Sequence, residues 1–348
     1  MTTLSSPGSP RPRATMRDVA ALAGVSLKTV SRVVNGEPGV SSTLTSKVHR
    51  AAQQLDFQLN LGARSLRRAD GRTATIGLIL ENVANPYSSA LHRAVENVAR
   101  NHGVAVLAGS LDEDPQRERE LVGAFTSRRV DGLIMMPTGL DHGYLLPERR
   151  AGTALVFVDR APGMLDADVV LADNRIGAQT GVGHLIAAGH RHIGFLGDLA
   201  SITTSQERRA GFVDAMRLAD LPFSTQHAVS NTSTVEDAEA ATTAMLGAAD
   251  PPTALFTAQN LVTIGALKAL RRLGRQHDVA IVGFDDFLLA DVLEPPVTVV
   301  AQDPQLIGQL AAEQLFRRMD GDASPFRTEI VPTRLLARGS GEIPPPLN

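Results

Sequence analysis

Lys28 and Arg32 stand four residues apart, so on a helix they project from one face. Both are donors that can reach the O6 and N7 acceptors of guanine. Leu27 beside them is an apolar group suited to a thymine methyl, and Ser26, Thr29 and Ser31 are short hydroxyl donors suited to phosphate oxygens. A second set of polar residues lies further along: Asn85, Tyr87 and Ser88; Asp159 and Arg160; Arg208; Gln259 and Asn260; Asp285 and Asp286. All but Arg208 follow short apolar runs. Carboxylates, amides and a guanidinium around one slot suit a sugar, whose hydroxyls both donate and accept. A plain helical bundle with a polar exterior, and ordinary solvated loops, are the bland readings of the same residues.

Other chemistries fit poorly. Asp285 and Asp286 are adjacent in a loop and point different ways, so they do not make a catalytic pair. His184, His190 and His192 have no acid or cysteine at a familiar ligand spacing, and no metal or other cofactor is expected. Gly181-x-Gly183 is followed by Ile186 rather than glycine, so the dinucleotide fingerprint fails. There is no G-x-S-x-G elbow and no phosphate-binding loop. These patterns exclude the common enzyme classes, and a non-enzymatic protein is expected.

The elements that must carry the first set are short helices. Thr15 to Asp18 reads T-x-x-D, a helix start in which Thr15 caps and Asp18 favours the positive end. Gly24 ends that helix, and Ser26 caps a second from about Leu27 to Val34, with Val30, Val33 and Val34 inward. Asn35-Gly36 stops it. Ser41 caps a third, whose Leu44, Val48, Ala51, Ala52 and Leu55 recur at helical spacing. Two helices joined by a tight glycine turn, then a third, describe a helix-turn-helix unit. The second helix would enter the major groove and present Leu27, Lys28, Thr29, Ser31 and Arg32.

Charge supports this division. Residues 1–72 hold eleven basic and four acidic side chains, although the chain as a whole carries −3, so the remainder is strongly acidic. A basic head on an acidic body implies a polyanion partner for the head. There is no cysteine, and the Ser/Pro/Arg-rich stretch 1–14 has no apolar secretory core. No run approaches the ~18 apolar residues of a membrane span. A cytoplasmic location is expected, with no membrane partner. Residues 1–14 read as a tail, 15–58 as the head, 59–72 as a linker, 73–340 as the body and 341–348 as a second tail.

The second set requires a different architecture. From Thr75 onward β-branched runs alternate with helical stretches. Strands are expected at 76–80, 104–108, 132–136, 154–158, 193–196, 254–257, 280–283 and 297–301. Helices are expected at 88–102, 115–128, 175–188, 206–219, 234–247, 261–273 and 305–319. Such alternation predicts doubly wound parallel sheets, and eight strands over this length fit two lobes. Ligands bind beyond the carboxyl ends of such strands, so the gap between lobes is the expected pocket.

The run from Thr15 to Asn35, T-M-R-D-V-A-A-L-A-G-V-S-L-K-T-V-S-R-V-V-N, resembles the DNA-binding head of the LacI/GalR (lactose repressor) family. The resemblance continues through Asn85-Pro86-Tyr87, Asp131-Gly132-Leu133-Ile134, Asp173-Asn174, the Gly189 to Ile193 run, Arg208-x-x-Gly211-Phe212 and the Val282 to Asp286 run. It implies an α/β body like the periplasmic binding proteins. It assigns base reading to Leu27, Lys28 and Arg32, within a DNA-contacting set that includes Thr15, Ser26, Thr29, Ser31, Asn35 and Ser41. In the hinge it implies that Ala63, Arg64 and Leu66 lie in a short helix in the minor groove, with Leu66 wedging between base pairs. Leu59 stands where many members have proline, and Gly62 weakens a short helix by roughly 0.5–1 kcal/mol relative to alanine, so hinge folding is expected to be less favourable here. The resemblance also places Tyr87, Ser88, Asp159, Arg208, Gln259, Asn260 and Asp285 around an effector.

The expected protein is therefore a homodimeric repressor on a pseudo-palindromic double-stranded operator, released by a small polar effector such as a sugar. A nucleobase or nucleoside acting as corepressor is the alternative. A transported-solute binding protein is more remote, because it would carry a signal peptide and no basic helical head. The three prolines after Ile343 and the absence of heptads predict a dimer rather than a tetramer.

Overall fold

The computed structural model describes residues 14–34, 37–57, 72–223 and 225–346. It divides into two units, residues 1–73 and 74–348. Asn35 and the hinge positions Ala63, Arg64 and Leu66 lie outside the described residues.

The first unit is three helices, α1 (Met16–Ala23), α2 (Leu27–Val34) and α3 (Ser42–Gln54). Thr15 closes a capping box with Asp18: its hydroxyl and backbone N–H both donate to the Asp18 carboxylate at 2.7 Å. Those bonds hold the Asp18 carboxyl below its ordinary range. Gly24 takes φ 65°, with open space where a Cβ would stand, so glycine is needed there for its backbone and not for room. Ser26 caps α2 by accepting from Thr29 N at 3.1 Å, and Ser41 caps α3 by accepting from Leu44 N at 3.4 Å. Val19, Ala20, Val30, Val33, Val48 and Ala51 form the core, whereas Val34 is half-buried and Leu44 stays exposed.

The second unit holds two sheets of six strands each. The first lobe orders β2 (Ala105–Ser110), β1 (Thr75–Leu80), β3 (Gly132–Met135), β4 (Ala154–Val158), β5 (Asp168–Ala172) and β11 (Thr328–Val331), all parallel. The second orders β7 (Ala228–Val229), β6 (Ile193–Leu196), β8 (Ala254–Thr257), β9 (Ala280–Phe284), β10 (Thr298–Ala301) and β12 (Arg334–Leu336). The two orders are equivalent strand for strand. Only the last pair departs, since β12 runs antiparallel to β10. The sheets are thus doubly wound as expected, with one antiparallel edge.

Helices α4 (Pro86–Asn101), α5 (Pro115–Thr126), α6 (Leu146–Arg150) and α11 (Pro304–Met319) belong to the first lobe. Helices α7 (Asn174–Ala187), α8 (Thr203–Leu218), α9 (Val235–Leu246) and α10 (Asn260–Arg272) belong to the second. The inner strands of both sheets are almost wholly buried, which is why they read as continuous apolar runs. Phe195, Phe212 and Phe256 knit the second core, the first two at 5.2 Å between ring centres. Gly181 belongs to this packing: a Cβ on it would stand 2.8 Å from Val300 and 2.9 Å from Phe256. The glycine lets α7 lie close on the sheet, which accounts for half of the failed dinucleotide motif. His190 also has a structural place, bonding Thr253 Oγ1 at 2.9 Å and the Ile343 carbonyl at 2.8 Å.

The chain passes between lobes three times: from β5 to α7, from β10 to α11, and from β11 to β12. The first and third crossings are tied together, because Thr333 N donates to Asp173 Oδ1 at 2.7 Å and Asp173 N to the Val331 carbonyl at 3.3 Å. Three short connections, two of them joined in this way, make up the junction between the lobes, the usual form of a hinge.

Candidate functional site

On the head, Leu27, Lys28 and Ser41 are exposed, and Thr29, Ser31 and Arg32 are half-buried. Ser26 and Thr29 share a hydroxyl–hydroxyl bond of 2.9 Å at the start of α2. Arg32 is not extended into solvent. Its guanidinium donates to the Pro38 carbonyl, and its Nε lies 3.5 Å from Glu37 Oε2. A base contact by Arg32 therefore needs this guanidinium to swing away from the loop after α2.

In the body, the strand ends converge on a cleft between the lobes. Residues of both lobes line it, among them Tyr87, Asp159, Arg208 and Asp285. Asp159 follows β4 and Asp285 follows β9, the equivalent strand of the other lobe. Both take left-handed backbones, φ 67° and 69°, and both donate their N–H to the next strand, to the Val170 carbonyl at 3.0 Å and the Val300 carbonyl at 2.9 Å. Aspartate tolerates this conformation better than most residues. The turn ends each strand and leaves the carboxylate in the cleft.

Each of these carboxylates has its own guanidinium. Arg160 Nε lies 3.2 Å from Asp159 Oδ2, and its two terminal nitrogens donate to Glu113 at 2.8 and 2.7 Å. Those partners raise the Arg160 pKa despite its burial, so it remains a cation. Arg208 donates to Asn174 Oδ1 and the Ala258 carbonyl, each at 2.8 Å, and to Asp285 Oδ2 at 3.3 Å. Its guanidinium lies 4.0 Å from the centre of the Phe284 ring. Gln302 at the second crossing donates to Asp285 Oδ1 at 2.7 Å.

Three buried polar atoms on residues lining this cleft have no hydrogen-bond partner among the described residues: Tyr87 Oη, Ser88 Oγ and Gln302 Oε1. An unsatisfied buried donor or acceptor costs about 1–3 kcal/mol, so such a group implies a missing partner. Burial, with Asp159 and Asp285 nearby, pushes the Tyr87 phenol well up, so it stays protonated and can donate. Burial also raises the Asp285 carboxyl, opposed by Arg208 and Gln302.

Of the seven residues expected here, Tyr87, Ser88, Asp159, Arg208, Gln259 and Asp285 line the cavity. Asn260 is buried beside it, and its side chain spans the cleft to donate to Asn85 Oδ1 at 3.0 Å. Gln259 is partly consumed as the cap of α10, accepting from Leu261 N and Val262 N. Tyr87 and Ser88 sit in the first turn of α4, which begins at Pro86 with Asn85 as its cap, rather than in a loop. Similarly α8 begins at Thr203, so Arg208 lies more than a turn inside it. Sequence reading missed Glu81, Glu113, Met136, Asp198, Thr204 and Gln302 as lining residues. Glu81 directly follows β1 and Asp198 nearly follows β6, so the strand-end rule that found Asp159 and Asp285 would have found both.

Residues 15–60 match the family described as bacterial regulatory proteins, lacI family, and residues 182–341 match the periplasmic binding protein-like domain. The transcriptional regulator PtxS of Pseudomonas aeruginosa is 33% identical over 334 residues, which is 95% of this chain and 96% of that protein. The chain belongs to the LacI family. The ribose operon repressor of Escherichia coli K12 is 30% identical over 94% of this chain and 99% of its own, and the repressor CytR of the same organism is 29% identical over 94% and 96%. The lac repressor dimer bound to operator and the anti-inducer ONPF superposes with a TM-score of 0.82 at 26% identity, covering 95% of this chain and 99% of that one. The complex of the regulator CelR with cellobiose gives 0.69 at 29% identity, covering 94% and 100%. As a LacI-family protein, the chain is a DNA-binding transcription repressor with a ligand-binding body of the periplasmic-binding-protein type. Among the described residues, no helix is long and apolar enough to cross a membrane.

Proposed function

We propose that the cleft binds a polyhydroxylated effector, a sugar or close relative, and that binding lowers the affinity of a homodimer for a pseudo-palindromic operator. The observation that carries this reading is the set of unpartnered buried atoms around one cavity. Tyr87 donates, Gln302 accepts and Ser88 does either, the mixed demand that hydroxyl groups meet. The relatives agree in kind, since one is solved with cellobiose and several are named as ribose operon repressors. Lys28, Leu27 and Arg32 read bases in this account, supported by Thr15, Ser26, Thr29, Ser31, Asn35 and Ser41, with Ala63, Arg64 and Leu66 acting at the minor groove. Tyr87, Ser88, Asp159, Arg208, Gln259 and Asp285 hold the effector, and Asn260 latches the lobes through Asn85. No catalytic step and a cytoplasmic site of action complete the reading.

Effector and operator are linked sites, so each must alter the affinity of the other by the same factor. The test is a thermal-shift panel of pentoses, hexoses, disaccharides, nucleosides and nucleobases, followed by operator release with any hit. A ligand at 100 times its Kd adds about 2.7 kcal/mol to stability. A sugar that shifts melting and releases operator, with both effects lost in Asp285→Ala, supports the reading. A nucleobase that tightens operator binding replaces it with corepression.

A further inference from the structure

The cleft carries more negative charge than its own cations offset. Its described lining holds five carboxylates, on Glu81, Glu113, Asp159, Asp198 and Asp285, against the guanidiniums of Arg160 and Arg208. Arg160 is engaged by Glu113 and Asp159, and Arg208 by Asp285. Among the described residues, Glu81 and Asp198 have no counter-ion within salt-bridge distance. Asp198 accepts from Leu199 N at 2.7 Å, and among the described residues nothing hydrogen-bonds the Glu81 carboxylate.

Topology makes these two a pair. Glu81 ends β1 in the first lobe, and Asp198 follows β6, its equivalent in the second. They are close enough for the charge of Asp198 to act on Glu81. Burial is the larger influence and, with Glu113, Asp198 and Asp159 adding and Arg160 opposing, it pushes the Glu81 carboxyl up to about 7. Two like charges on opposite walls resist closure, and a partly desolvated carboxylate without a partner is costly. The same cavity holds the unpartnered Ser88 Oγ, on a residue 1% exposed, and Tyr87 Oη, so the site is built around a missing ligand.

We propose that the effector carries a protonated amine, held between Glu81 of the first lobe and Asp198 of the second. This rests on the reading of the cleft as a site for a polyhydroxylated effector, and it narrows that ligand to an amino sugar or similar cationic polyol. One ammonium supplies three donors to two carboxylates that lack counter-ions. It converts a repulsion between lobes into a bridge, so it stabilises the closed arrangement selectively, which is what an effector must do to shift an equilibrium. A neutral sugar leaves both carboxylates unneutralised, and an acidic one adds to the repulsion.

The experiment is calorimetry on the full chain at pH 7 with D-glucosamine, D-galactosamine and D-mannosamine. Each is compared with its parent hexose, which keeps the hydroxyls, and with its N-acetyl derivative, which keeps the bulk without the charge. At least one amino sugar is expected to bind tenfold or more tightly than both neutral counterparts. Glu81→Gln and Asp198→Asn should each bring the ratio of amino-sugar to parent-hexose affinity close to one. A neutral sugar bound as tightly as its amine overturns the cationic assignment and leaves the sugar reading intact. Failure of every hexose, charged or neutral, to bind overturns the amino-sugar assignment, and failure of the pentoses and disaccharides as well overturns the sugar reading.

Discussion

Glu81→Gln should stabilise the free body, and by an amount that depends on pH. The carboxyl is raised from 4.5 to about 7 by burial and neighbouring acids. Between those values the folded state holds a proton that the unfolded chain has already lost. Stability therefore falls as pH rises through this window, and the loss is complete once both states are ionised. An ionisation displaced that far costs roughly 3 kcal/mol. Glutamine keeps the shape and the donor of the protonated acid but never charges. The two proteins should melt together near pH 4.5 and separate as pH rises. At roughly 2 °C per kcal/mol for a unit of this size, the variant should melt about 6 °C higher at pH 8. Scanning calorimetry of both proteins without ligand, from pH 4.5 to 8, measures the gap directly. A gap that is constant with pH, or absent at pH 8, would refute the claim that Glu81 is an unpaired, partly desolvated acid, and the cation proposal would lose its footing.

Three further outcomes follow from particular contacts. Arg208→Lys keeps the charge but cannot reproduce the fork to Asn174, Ala258 and Asp285, so denaturant midpoints should report about 2 kcal/mol lost and effector affinity should drop at least tenfold; an unchanged midpoint would show that the fork contributes nothing. Arg32→Ala should cost about 1–3 kcal/mol in operator binding and relax preference at one base position, whereas equal loss on all sequences would mark a phosphate contact. The same variant should barely alter stability of the head, because the Glu37 pair is exposed. Gly24→Ala should cost the head about 1 kcal/mol from backbone strain alone, since nothing stands where the Cβ would go; no change in head melting would mean that the left-handed turn is dispensable.

Much of this protein is written locally. The caps at Thr15, Ser26 and Ser41, the stop at Gly24 and the periodicity of Val30, Val33, Val48 and Ala51 act within a few residues of themselves, so a linear reading recovers all three head helices. The seven longer helices and eight of the strands in the body are legible for the same reason, as buried strands must be apolar throughout. Four strands were missed. One, β5, is a buried apolar run, Val169 to Ala172, whose pattern was there to be read; the other three exist through pairing. Strand β11 exposes three of its four residues and is held by β5, while β12 is held only by β10 and β7 is two residues long. No periodic signal marks such segments, because their hydrogen-bond partners lie far away in the chain.

The cleft divides in the same way. Chemistry at strand ends was visible for Asp159, Arg160, Gln259 and Asp285. The pairing of Arg160 with Glu113 across 47 residues and the bond between Asn260 and Asn85 across 175 depend on which strands become neighbours. So does the approach of Glu81 to Asp198, which requires two sheets of matching order to oppose their first strands. Residue type and spacing determine which groups can act; long-range pairing decides which of them meet, and whether a carboxylate finds a counter-ion or waits for one.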